Sequence, residues 1–393
     1  MQRTQTEPLP QYTKLFSVHN SEGKKMKIKA IITRTVCAAL IASMVFGGTA
    51  CGKKNNDEDN KPSENSSYSQ QSSEQSSTSS AKGNINPLTG NYGLTSSAVG
   101  KRPIAVVVEN APAARPQWGL STPDVLIEGL VEGGYTRMLL LYSDVDSIPK
   151  VGPIRSARHD FVELSECFDS IYVHCGWSTY AKAKIESDKV NNLNGIQGYA
   201  KQFFYRDSSR KSKGTEHTGY SKGEYIDATI GSLKYRTDVK DAYKSVLHFN
   251  DPETAVKPTG GSCTSVSFMY STVNKHVMTY DSSKGVYFDA LNGSARKDAD
   301  GVHLNYKNIL VLYCDVKSMG DSKGCIDMAL EKSNTGYYIS DGGYEQVSWT
   351  KTGSASSSKL VINNMSGSAV SLNAGNTYIA LVPSSQKSAT SIA

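Results

Sequence analysis

The sequence predicts an α/β (or α+β) domain followed by an all-β domain, both carried behind a disordered N-terminal tether. Three observations predict it. Residues 52–85 are rich in Ser, Gln and Asn with almost no apolar side chains. Residues 86–235 alternate apolar, strand-like runs with amphipathic segments. Residues 263–385 hold short β-type runs separated by Gly, Asn and Asp turns.

Residues 1–50 read as a targeting region. From Met26 the chain runs "MKIKAIITRTVCAALIASMVFGGTAC". Lys27, Lys29 and Arg34 form a basic region, Val36 to Phe46 is apolar, and small residues lead to Cys51. That is the layout of a secretory signal, and its apolar run falls short of the roughly 20 residues that span a bilayer. Residues 1–25 sit awkwardly ahead of such a signal, so translation is expected to start at Met26. The ending "GGTAC" resembles the lipobox of bacterial lipoproteins, with Gly48 where leucine is usual. Lipidation of Cys51 is therefore expected, holding the chain on the extracytoplasmic face of the cell membrane.

From Cys51 to residue 85 the chain cannot bury enough apolar surface to offset its ordering entropy. A flexible linker with a root-mean-square span of about 30 Å is expected there.

Charge follows the same division. The whole chain carries 43 Lys and Arg against 37 Asp and Glu, a formal charge of +6. Residues 1–50 hold seven of the bases and two of the acids, leaving 36 against 35. A remainder so close to neutral removes the main support for a nucleic-acid partner, which needs a strongly basic face.

In residues 86–235, "PIAVVVE" (103–109) is a nearly continuous apolar run, as in a strand buried on both faces. "DVLIEGLVE" (124–132) and "TRMLLLYSD" (136–144), separated by Gly133-Gly134-Tyr135, read as a hairpin. A helix with Ala157, Phe161, Leu164 and Phe168 on one face follows, capped by Ser156. "SIYVHC" (170–175) reads as another inner strand, with further helices expected over 178–189 and 221–230.

Residues 236–262 read as an inter-domain linker region, turning to Pro, Gly and Thr over "NDPETAVKPTGGS" (250–262). Beyond it, strands are expected at 264–271, 285–291, 307–316, 325–331, 335–340, 359–364 and 377–383, as in a sandwich or small barrel. Cys167, Cys175, Cys263, Cys314 and Cys325 form an odd set without CxxC spacing, which argues against a zinc site. Cys314 and Cys325 flank a turn and are candidates for a disulfide.

The chemistry concentrates in "KVGPIRSARHDFVEL" (150–164), where Arg155 and Arg158 stand at the start of a helix. A cation there opposes the helix dipole by about 0.3–1 kcal/mol. A local rule broken in this way marks a functional or strained site. Either an anion docks on the guanidiniums and backbone N–H groups, or internal carboxylates neutralise them. Glu128 and Glu132, expected on one strand face, and Glu109 are the candidates for such pairing, with Arg137 nearby. Catalytic use is the third option: Glu128 or Glu132 as general acid/base with His174, and the arginines stabilising developing charge. His174 sits at the carboxyl end of a strand, where open α/β sheets bind ligands, and a satisfied core histidine is the competing reading. The basic loop 203–220, with His217, could close over the same region. No nucleophile elbow, Walker loop, HExxH or dinucleotide fingerprint is present. No metal or cofactor is expected.

The stretch "ENAPAARPQWGLSTPDVLIEGLVEGGYTRMLLLY", with "KVGPIRSARHDFVEL" and "DSIYVHCG", resembles the YerB-like lipoprotein family. The resemblance covers residues 86–385. Its motif residues here are Arg115-Pro116-Gln117, Glu128, Glu132-Gly133-Gly134, Arg137, Gly152-Pro153, Arg155-Ser156-Ala157-Arg158 and His174. After His217 the family pattern continues with asparagine, where this chain has Thr218. The resemblance implies an envelope location and two domains of unknown function, with no established reaction. The expected function is binding of an anionic or glycan-like cell-envelope ligand through Arg115, Arg137, Arg155, Ser156, Arg158 and His217. An envelope hydrolase or transferase, and a scaffold for partner proteins, are the alternatives.

Overall fold

A computed structural model describes residues 82–240 and 246–393. Cys51, the signal region and the expected linker as far as residue 81 lie outside the described residues, and the last linker residues, Asn84–Ile85, form a short strand paired with Tyr92–Leu94. Among the described residues, no helix is long and apolar enough to cross a membrane.

The first half contributes strands β1 (Ile104–Glu109), β2 (Val125–Leu130), β3 (Thr136–Tyr142), β4 (Ile171–His174) and β5 (Asn192–Asn194). Its helices are α1 (His159–Glu166), α2 (Thr179–Ser187) and α3 (Gly223–Ser232). The second half contributes β6 (Ser265–Ser271), β7 (Asn274–Asp281), β8 (Val286–Leu291), β9 (Asn308–Cys314), β10 (Asn334–Ser340), β11 (Gly343–Thr352), β12 (Lys359–Asn364) and β13 (Thr377–Pro383).

One mixed sheet of 11 strands runs through both halves, in the order β11-β10-β9-β13-β2-β3-β1-β4-β5, with β12 and the short Gly261–Ser262 strand on β11. The seam lies between β13 and β2, which pair in parallel with Ile379 opposite Ile127 and Ala380 opposite Glu128. The strand-rich half therefore shares a sheet with the α/β half. Strands β1, β9 and β13 are buried along their whole length, as near-continuous apolar runs require.

Each face of the sheet is covered. On one face, Phe161, Leu164 and Phe168 of the α1 region and Ala181 and Ile185 of α2 pack on Val107, Ile127 and Leu139. Each fully buried phenylalanine there contributes roughly 1.5–3 kcal/mol. On the other face, Val266, Phe268 and Tyr270 of β6 join Val106, Leu140, Val311 and Tyr378. Strand β6 alternates buried and half-buried residues, as in a sheet with one face inward. It belongs to a second, six-stranded antiparallel sheet with β7 and β8.

Three local expectations are corrected. Ser156 does not cap α1: the helix begins at His159 and Arg158 holds the N-cap position. Strands β7 and β11 are not among the expected strands, because ionisable side chains at inward positions, the buried His276 and Lys351, break the apolar alternation. Cys314 and Cys325 are free thiols. In the hairpin between them Val316 pairs with Met328, so Cys325 lies well out of register with Cys314.

Candidate functional site

The site forms where β1 and β2 end and β3 begins. Glu109, last in β1, stands directly across the ladder from Arg137, second in β3. The segment 152–157 runs alongside, with Arg155 N–H donating to the Val107 carbonyl at 3.0 Å and Cys175 N–H donating to the Arg155 carbonyl at 3.0 Å. This backbone anchoring presents Arg155 beside Glu109. The turn Thr215–His217 brings in the loop histidine.

The charges are partly paired. Glu109 accepts from Arg155 Nε at 3.1 Å through one oxygen and contacts His217 Nδ1 at 2.7 Å through the other. Glu132 takes Arg158 in a two-point fork, Nη2 donating to Oε2 at 2.9 Å and Nε to Oε1. Burial opposes ionisation of Glu132, but the Arg158 hydrogen bond and charge outweigh it and hold the carboxyl below its ordinary value.

Arg137 differs. It is 6% exposed, its Nη1 donates to the Ser156 carbonyl at 2.7 Å, and its buried Nε has no partner. Among the described residues no carboxylate lies within 4.0 Å of it. Burial, and next the neighbouring Arg158, push its guanidinium down to about 9. Arg137 and Arg155 line a cleft of about 460 Å³ together with Glu109, Glu132, His217 and Tyr135.

Other expected site residues lie elsewhere. Glu128 is fully buried, accepting from Asn110 at 2.7 Å, Arg296 at 3.0 Å and the Tyr378 hydroxyl at 2.9 Å. Burial opposes its ionisation, but Arg296 and His276 prevail and lower it. Its network with Arg296, His276 and Asp289 is sealed from solvent, so solvent-borne substrate has no route to Glu128. Glu132 lies past the end of β2 in a 3-10 turn, so the two glutamates do not share a strand face.

His174 is a satisfied core histidine. It is fully buried, with Nδ1 2.7 Å from the Gly176 carbonyl and Nε2 3.0 Å from Asn192 Oδ1. Burial lowers its pKa. Arg115 binds Asn110 and, at 2.9 Å, Asn274 Oδ1 of β7, outside the cleft lining. Ser156 contributes its carbonyl oxygen, to Arg137.

Tyr135 reads in the sequence as a turn residue, and nothing in its spacing marks it as part of a cleft. The partners of Glu128 were missed for a similar reason: Arg296 is 168 residues away, and sequence patterns report only local neighbours. Among the described residues, one group of potential metal ligands gathers: His159, Asp160 and Asp327, with their ligand atoms within 4.8 Å of one another. The 3.2 Å contact of His159 Nε2 with Asp327 and its 3.5 Å contact with Asp160 suit an ion pair as well as a metal.

Residues 88–236 match the N-terminal domain, and residues 266–379 the C-terminal domain, of a protein family of unknown function, DUF3048. The chain is 31% identical over 302 residues to "Putative lipoprotein YerB" of Bacillus subtilis (strain 168), covering 76% of this chain and 86% of that protein. A crystal structure of YerB protein from Bacillus subtilis superimposes with a TM-score of 0.66 at 31% identity, covering 79% of this chain and 99% of the other.

Proposed function

Because this chain belongs to the DUF3048 family of YerB-like proteins, we propose that it is a lipoprotein anchored through Cys51, whose cleft binds an anionic or glycan-like ligand of the cell envelope. The likeness to a protein named as a lipoprotein and the lipobox-like "GGTAC" support the anchor. The extracytoplasmic face follows from the signal layout.

One observation carries the ligand reading. Arg137 is a buried guanidinium without a carboxylate partner, on the wall of a cleft. Burial of an unpaired charge is unfavourable by several kcal/mol, and an incoming anion offsets it through charge-assisted hydrogen bonds. Arg155 supports the same anion from the rim, where its side chain is 30% exposed. Arg158 acts by holding Glu132 away from Arg137.

Two experiments test this reading. Palmitate labelling of expressing cells should mark the wild type and not Cys51→Ala; equal labelling would remove the anchor. Full-length protein in detergent should be retained on purified cell-wall material, and Arg137→Met should abolish retention. Retention of that variant at the wild-type level would sink the ligand reading.

The contact of His217 with Glu109 at 2.7 Å favours a second reading, an envelope hydrolase. A carboxylate on Nδ1 fixes the imidazole tautomer, and Nε2, 3.8 Å from Glu216 Oε1, would take a proton from water. His217, in place of His174, would then serve as the base. His217→Gln should retain envelope binding and lose release of soluble fragments, read by mass spectrometry; unchanged fragments from wild type and variant would exclude it.

A further inference from the structure

We infer that the cleft is built for a sugar acid, a pyranose carrying one carboxylate, with the carboxylate on Arg137 and Arg155 and the ring against Tyr135. This inference rests on the anion-binding reading above and narrows it.

Charge sets the valence of the ligand. Three guanidiniums, Arg137, Arg155 and Arg158, meet two carboxylates, Glu109 and Glu132. Arg155 and Arg158 are taken by these two acids, and Glu216 faces His217 at 3.8 Å. Among the described residues, Arg137 is the guanidinium of the three left without a carboxylate within 4.0 Å, so a single incoming carboxylate pairs with it. A phosphate monoester, carrying close to two charges, would overshoot and face both glutamates across the cleft.

Geometry favours the planar anion. Arg137 engages the Ser156 carbonyl through Nη1 only, and Arg155 engages Glu109 through Nε only. Among the described residues, the remaining N–H groups of both side chains have no hydrogen-bond partner. Guanidinium N–H groups left in this fork arrangement suit the two oxygens of a carboxylate.

The rest of the wall is not ionic. Ala111, Pro112 and Val131 line it, and Tyr135 stands 42% exposed among them. A small inorganic anion would leave this apolar surface unused. A pyranose presents its C–H face to an aromatic ring, and its hydroxyls reach the lone pairs that Glu109 and Glu132 have left. The cleft, at about 460 Å³, falls in the range of small-molecule sites.

The test titrates full-length protein in detergent with D-glucuronate, acetate, D-glucose and D-glucose 6-phosphate by calorimetry. D-glucuronate is expected to bind at least tenfold more tightly than the other three. Arg137→Met should abolish that binding, and Tyr135→Ala, at an exposed position, should reduce D-glucuronate to the affinity of acetate without changing acetate. Arg155→Gln provides a second cationic variant should Arg137→Met fail to fold, which circular dichroism reports. Acetate equal to D-glucuronate, or D-glucose 6-phosphate tighter than it, overturns the sugar acid; if Arg137→Met still abolishes binding, the anion reading survives. No binding of any of the four, or binding indifferent to Arg137 and Arg155, overturns both.

Discussion

Glu109 and Arg137 face each other across adjacent strands, yet the carboxylate serves Arg155 and His217 and leaves Arg137 without an acid. A directly opposed pair of opposite charges is the expected stabilising arrangement in a sheet. Diverting Glu109 keeps one buried guanidinium available.

Arg137→Met should therefore leave the fold as stable as the wild type or more so. The substitution removes an unpaired buried charge and its hydrogen bond to Ser156 while keeping the side-chain bulk. Relief of the unpaired charge outweighs or offsets the lost hydrogen bond, so the variant should be as stable as the wild type or more so, and less stable by no more than about 1 kcal/mol in urea denaturation. A loss of several times that would mean the guanidinium holds the local fold together.

Glu128→Gln should behave in the opposite way. Glu128 is the carboxylate that joins β2 to Arg296, His276 and Tyr378 beneath the seam between the halves. Breaking a buried ion network by removing one member costs about 3–5 kcal/mol. Denaturation should remain a single transition, since one sheet runs through both halves. Two separated transitions would show that the shared sheet does not couple them.

Arg158 and Glu132 should be energetically coupled. Their two-point contact is largely shielded from solvent, with side-chain exposures of 16% and 19%. A double-mutant cycle of Arg158→Ala and Glu132→Gln is expected to give a coupling of about 1–2 kcal/mol. A value near zero would return Arg158 to the pool of cations open to a ligand.

Asp160 should make stability depend on pH. Burial, above all, raises its carboxyl to about 7, with Asp327 and Glu163 adding to the effect and His159 and the Met328 N–H opposing it. The folded state then holds this proton to higher pH than the unfolded chain, whose carboxyl titrates near 4. The contribution of this group is greatest below about pH 4, falls as pH rises to about 7, and is constant above. Asp160→Asn, which keeps an acceptor for Met328 N–H, should raise the melting temperature at pH 8 relative to pH 5. An unchanged difference between the two pH values would show that Asp160 titrates normally.

Much of the site was legible as chemistry and not as geometry. The misplaced cations at Arg155 and Arg158 flagged the region, and each proved to have a carboxylate, as one of the competing readings required. A cleft lies beside them all the same. Glu128 and His174 looked equally promising, since a polar residue in an apolar strand reads alike whether it faces a cleft or a sealed network.

Apart from β7, β11 and the start of α1, the strand and helix positions followed from apolar periodicity, because burial on one or two faces imposes a repeat on the chain itself. The same holds for the signal-like and Ser-rich composition of the first 85 residues. The continuous sheet across β13 and β2, the pairing of Glu128 with Arg296 and the solitude of Arg137 belong to tertiary structure alone. The first two depend on segments that meet across 250 and 168 residues of chain, and the third on which neighbouring cation Glu109 takes, and no local pattern records those choices.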